Sequence, residues 1–257
     1  MDPELLTLLV LAAVAAGWID AIVGGGGLLL LPALLVAFPN TPVATLLGTN
    51  KLAAMFGTCS AAVNYSRGLR LDAGIVWPTA GLALAGSGAG AAFASMASSS
   101  SDALRPIIMA VLLLVAVMVV ARPALGAHTD PRLRTPGRVI VAVLVAGLLV
   151  SFYDGIIGPG TGTFLMIALT TIVGMDFVQA SASAKIVNTA TNLGALCVFT
   201  LAGHVMWLLG LVLAGGTIGG ALIGSRMALR RGTGFVRVVL LVVVVVLLLR
   251  LGYEHFT

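Results

Sequence analysis

Two stretches of this chain carry the same residues in the same order, and their spacing constrains everything between them. The first covers residues 17–57 (GWIDAIVGGGGLLLLPALL, then GTNKLAAMFG), the second residues 151–191 (SFYDGIIGPGTGTFLMIAL, then ASAKIVNTAT). Asp20 matches Asp154, Gly24 matches Gly158, Gly26 matches Gly160 and Lys51 matches Lys185. Every pair is shifted equally (154 − 20 = 185 − 51 = 134), with no gap. A unit this long exceeds any solenoid repeat, and in an apolar chain it marks a duplicated membrane bundle.

Apolar residues make up 60% of the chain and charged residues 9%, against about 25% charged in a soluble domain. Mean hydropathy is +1.14. Residues 104–121, 139–153 and 235–249 are long apolar runs with at most one charge each, each near the roughly 20 residues needed to cross a hydrocarbon core. A soluble fold of this size would lack the polar surface to cover itself. The expected class is an all-α polytopic membrane protein. The net charge of +5 is no nucleic-acid signal, because the basic residues gather in short loops, as topology determinants do. Cys59 and Cys197 have no paired spacing, so neither a disulfide framework nor a metal site is expected, and both read as small packed residues. The start, MDPELL, has no basic leader and reads as the first membrane helix.

Residues 4–23 are long enough to span, and glycines 24–27 then break the helix, since glycine forfeits most backbone entropy there. Residues 28–38 are too short to span upright and stop at Pro39 and Pro42. A helix over 43–64 carries Lys51 well inside it, and the loop 66–72 holds Arg67 and Arg70. Residues 73–97 follow, with Gly81, Gly86 and Gly90 at a spacing that lets helices approach closely in lipid. Serines 98–101 turn the chain into 104–121. The loop 122–138, with Arg132, Arg134 and three prolines, links repeats 1–121 and 139–252 of one transporter domain, 1–257. The second half replays the first: 139–157, a break at 158–162, a short piece to Val173, and a lysine helix from Asp176. A turn at Gly203 and His204 precedes 205–225, a loop 226–234 with Arg226, Arg230 and Arg231, and a last helix over 235–251. Trp77 and Trp207 fall near helix starts, as interfacial aromatics do. The glycine faces at 81–90 and 215–224 suit packing within the subunit or across a homodimer.

Loop charge decides topology. The loops 66–72, 122–138 and 226–234 should be cytoplasmic, and both termini outside. This holds if each repeat crosses an odd number of times, whether a glycine-broken piece passes twice or forms a re-entrant hairpin. The two repeats are then inverted.

Non-helical backbone at membrane depth is tolerated only inside protein or against a wet cavity. After each break a new helix offers unpaired N–H groups and a partial positive charge, which suits an anion. Gly26 and Gly27 in the first copy, and Gly160, Thr161 and Gly162 in the second, are candidates for that role. Glycines can instead serve close packing alone; two breaks at matching positions favour a site. A dinucleotide fingerprint is excluded, because no acid lies about 20 positions on.

Lys51 and Lys185 are the second signal, since a lysine at helix centre costs about 2.5–3.5 kcal/mol on insertion scales unless it meets a partner or water. Thr49 and Asn50 flank the first. Lys185, Asn188 and Asn192 share one helix face, which would offer a small oxyanion an ammonium and amide N–H groups. The alternative is a structural ion pair within each copy, Lys51 with Asp20 and Lys185 with Asp154. Asp20 and Asp154 are also the candidates for proton coupling, with sodium the other candidate ion. No catalytic constellation, metal cluster or cofactor motif is visible.

These motifs, GWIDAIVGGGGLLLLPALL with GTNKLAA and SFYDGIIGPGTGTFLMIAL with ASAKIVNTATN, resemble the sulfite exporter TauE/SafE family of membrane permeases, over nearly the whole chain. The resemblance implies movement of sulfite, sulfonates or related sulfur anions across the bacterial inner membrane. Pro159 and Thr161 stand where the first copy has Gly25 and Gly27, so the site need not be symmetric. The expectation is a secondary transporter, an exporter of small sulfur anions working by alternating access. A passive anion channel or a permease for a carboxylate is the alternative.

Overall fold

The computed structural model describes residues 2–97 and 130–256; the serine turn 98–101, the expected helix 104–121 and residues 122–129 of the linking loop lie outside them. The described residues form helices without strands: α1 (Pro3–Val23), α2 (Gly27–Ala37), α3 (Val43–Gly68), α4 (Ala73–Ala97), α5 (Pro136–Ile156), α6 (Thr161–Val173), α7 (Phe177–Leu201) and α8 (Trp207–Phe256). A single 3₁₀ turn, Pro131–Leu133, precedes α5. By length and apolarity α1, α5, α7 and the Trp207–Val236 part of α8 qualify as membrane spans. α3 and α4 are as long, at 26 and 25 residues, but carry more glycine, hydroxyl and amide side chains. The starts of α2 and α6, of α3 and α7, and of α4 and α8 are each 134 positions apart.

α1 and α2 fold back on each other. Leu5, Leu6 and Leu9 at the start of α1 share a cluster with Leu34, Leu35 and Ala37 at the end of α2. With 11 residues, α2 is about 16 Å long, half a hydrocarbon core. α5 and α6 make the second hairpin, its open end held by Arg138, whose Nε donates to the Ile172 carbonyl at 2.8 Å. The tips of the two hairpins touch. Gly24, at φ +82°, lies so close to Gly162 that a Cβ on it would stand 2.2 Å from the Gly162 carbonyl carbon. Thr163 Oγ1 donates to the Val23 carbonyl at 2.8 Å across the same contact. Only backbone without side chains permits this approach.

The long helices then exchange partners between the halves. α1 packs chiefly on α8, α4 on α5 and α7, and α3 on α7 and α8. Glycines make these contacts: a Cβ on Gly220 would meet the Val14 carbonyl oxygen at 1.9 Å, and one on Gly90 the Phe152 carbonyl oxygen at 2.1 Å. The glycine faces are therefore spent within the subunit at these positions, while Gly81, Gly215 and Gly219 face open space. Where α4 presses on Gly147, α5 widens into a π-helix, Val145–Val150, and Ser151 Oγ takes up the Ala146 carbonyl at 2.7 Å.

Basic residues collect on one face. Arg134 pairs with Asp72 beside Arg70, and Leu229, between Arg226 and Arg230 and Arg231, packs against Gly68 next to Arg67. On the opposite face Leu5 and Leu6 share a cluster with Val205 and Met206, and Thr45 Oγ1 lies 3.3 Å from His204 Nδ1. Two expectations are corrected. Residues 226–231 are not a loop: the helix runs through all three arginines, which are good helix formers, and breaks only at Gly232 (φ 70°, ψ −166°). Cys59 and Cys197 do not pack inside; both are exposed on the outer helix surface.

Candidate functional site

The two buried lysines and the two aspartates meet at the hairpin tips, but not in the pairs expected within each copy. Lys51 Nζ donates to Asp154 Oδ2 at 2.5 Å, and Lys185 Nζ to Asp20 Oδ2 at 2.9 Å. The pairs cross because each hairpin tip is inserted against the other half's lysine helix, so the aspartate it carries reaches that half's lysine. The Lys51–Asp154 pair is sealed, with both side chains 2% exposed; Asp20 keeps 16% of its surface. Ser87 Oγ gives Asp154 a second donor at 3.4 Å. Charge in this environment persists only when paired and hydrogen-bonded, and each pair is formally neutral.

The end of α1 lies in the protein interior, so its last carbonyls need partners other than water. Side chains from three helices supply them. Lys185 Nζ donates to the Asp20 carbonyl at 2.5 Å, Tyr65 Oη to Ala21 at 2.9 Å, Ser181 Oγ to Ile22 at 2.9 Å and Thr163 to Val23. The ammonium also sits at the negative end of the helix dipole. Tyr65, Ser181 and Ser87 were not singled out from the sequence; isolated hydroxyls in apolar helices carry no pattern that marks them.

The other candidate residues divide. Gly26, Gly27 and Asn50 line one small cavity with Asp20, Ala54, Gly57 and Thr217. The Gly26 amide donates to Asp20 Oδ1 at 3.3 Å. Asn50 is buried, and its Oδ1 has no partner. Gly158 backs onto the Lys51 ammonium, Gly160 takes φ +83° to open α6, and Thr161 Oγ1 donates to the Gly158 carbonyl at 2.7 Å. Gly162 is occupied by its contact with Gly24. Asn188 and Asn192 are buried on the face of α7 that meets α3: Asn188 Oδ1 accepts from Thr191 at 3.0 Å, and Asn192 Nδ2 donates to Thr58 at 3.5 Å. Thr49 is not brought to this region. Its hydroxyl donates to the Thr45 carbonyl and accepts from the Met206 amide at 3.0 Å, tying α3 to the start of α8. Among the described residues no group of His, Cys, Asp and Glu is placed to hold a metal.

The arrangement offers two ammonium groups, two helix N-termini and several amides around the hairpin tips, with each lysine held by a carboxylate. It can bind an anion if a carboxylate lets go.

A family model described as sulfite exporter TauE/SafE matches residues 9–251. The chain is 37% identical to a probable membrane transporter protein, ORF9, of Sinorhizobium sp, over 96% of this chain and 92% of that protein. It is 35% identical to the probable membrane transporter protein YfcA of Escherichia coli strain K12, over 99% and 92%. A probable membrane transporter protein of Haemophilus influenzae is 32% identical over 98% and 96%. No solved structure matches.

Proposed function

The chain belongs to the sulfite exporter TauE/SafE family of membrane transporters, and from that premise we propose that it carries small sulfur-containing anions, such as sulfite or organosulfonates, outward across a bacterial inner membrane. The two halves act as inverted repeats whose hairpins enter from opposite faces, with the arginine face cytoplasmic. The observation that carries the reading is the crossed pair of lysine–aspartate bridges where the hairpin tips meet.

At rest each lysine is neutralised by the other half's aspartate. An incoming oxyanion takes the place of a carboxylate on Lys185 or Lys51, with the N-termini of α2 and α6 and the amides of Asn188 and Asn192 meeting its remaining oxygens. The displaced Asp20 or Asp154 must then be neutralised by a cation, which couples anion movement to an ion gradient. Because each bridge joins the two halves, exchanging a bridge for a bound anion also frees one half to rock against the other, giving alternating access.

A thermal-stability screen of the purified protein against sulfite, thiosulfate, sulfoacetate, taurine, phosphate and acetate tests this. A ligand of the folded state raises Tm as RT ln(1 + [L]/Kd). The expected result is a rise with a sulfur anion that Lys185→Ala and Lys51→Ala remove, together with loss of anion flux in proteoliposomes. A rise with acetate alone would move the substrate class to carboxylates. Flux that ignores ion gradients would make the protein a channel.

A further inference from the structure

The two aspartates are not equivalent, and the difference points to one of them as the cation site. Asp154 is enclosed by donors, the Lys51 ammonium and the Ser87 hydroxyl. Asp20 opens on a cavity of about 20 Å³, room for roughly one water. The polar side chains on its walls present acceptors. Asn50, 4% exposed, has an Oδ1 without a partner. Thr217 commits its hydroxyl proton to the Ala53 carbonyl at 2.7 Å, which leaves its oxygen lone pairs. Asp20 supplies the charge. The Lys185 ammonium shares that carboxylate from the far side, and the N-terminus of α2 opens on the same cavity.

At the positions 134 residues away, Ala184 of the second half stands in place of Asn50, and Ala83 of the first half stands in place of Thr217. Neither oxygen is present beside Asp154. The duplicated framework therefore carries this acceptor set once.

On the transport reading above, we infer that this cavity is the coupling-ion site and takes a sodium ion, held by the Asp20 carboxylate, Asn50 Oδ1 and Thr217 Oγ1. Oxygen ligands of this kind suit a hard cation, and a space the size of one water admits sodium more readily than potassium. Sodium on Asp20 competes with Lys185 for the carboxylate. The freed ammonium and the nearby start of α2 then receive the anion, and the region stays neutral.

Thermal unfolding of the purified full-length protein in sodium, potassium and N-methyl-D-glucamine chlorides tests the inference without a known substrate. A saturable rise in Tm should appear in sodium alone. Asn50→Ala and Thr217→Ala should each raise the apparent sodium Kd at least tenfold. Asn50→Asp, which keeps an oxygen in place, and Asn188→Ala should retain the rise. Equal Tm in the three chlorides, or a sodium rise that survives both alanine variants, overturns the site; so does a Tm that follows pH but not the metal cation. Sulfite, thiosulfate, sulfoacetate and taurine are tested separately. A sodium rise without a shift from any of these sulfur anions keeps this site and removes the sulfur-anion reading, and the reverse result removes the site and keeps that reading.

Discussion

At the scale of single residues, the buried ion pairs should answer differently to mutation. Removing one partner of a fully buried pair strands a charge and costs about 3–5 kcal/mol, whereas replacing both by apolar side chains is often neutral or better. Lys51 and Asp154 are both sealed, while Asp20 borders a cavity and is less enclosed. Asp154→Asn should therefore lower Tm more than Asp20→Asn does. The double variant Lys51→Met with Asp154→Leu should be more stable than either single change, while losing transport. Melting curves of the five variants check the order; a double variant that is the least stable of the set would mean that the pair itself holds the tips together.

At the scale of elements, the close approaches belong to individual glycines, and neighbours in sequence differ sharply. Gly220→Ala drives a methyl group onto the Val14 carbonyl and should destabilise by about 1–3 kcal/mol, the usual cost of overpacking. Gly219→Ala, with nothing within 4 Å, should be silent or slightly stabilising through helix propensity. Paired melting curves decide it. Much of this architecture was readable beforehand: the glycine breaks, the short second pieces and the start of α7, where the Asp176 carboxylate caps the Val178 and Gln179 amides. A matching shift reveals which residues are equivalent, but not which half each one packs on, so Lys51 could not be assigned to Asp154 in advance. Thr49 looked like a site residue because it adjoins Asn50, yet one step along a helix turns a side chain by about 100°, away from the cavity. The arginines before Gly232 read as a loop because charge and helicity are independent once a helix emerges from lipid.

At the scale of the whole molecule, the hairpins make a geometric demand. The open end of the first lies with Val205 and Met206, and that of the second is tied by Arg138 on the arginine face. Tips that meet in the middle must therefore have come from opposite sides. If the arginine face is cytoplasmic, a cysteine at Arg132 should be hidden from an impermeant maleimide in intact spheroplasts and react once the membrane is opened. One at His204 should react in both states. The background would be Cys59→Ala and Cys197→Ala, since both natural thiols are exposed on the helix surface. Labelling of both engineered cysteines from one side would place both hairpins on that side, and the crossed ion pairs would then have no route by which each half's lysine reaches the other half's aspartate. Opposite labelling instead gives each bridge one residue carried by a hairpin from outside or inside and one by a helix of the opposing half. An anion that opens one bridge then loosens one face while the second bridge keeps the other closed.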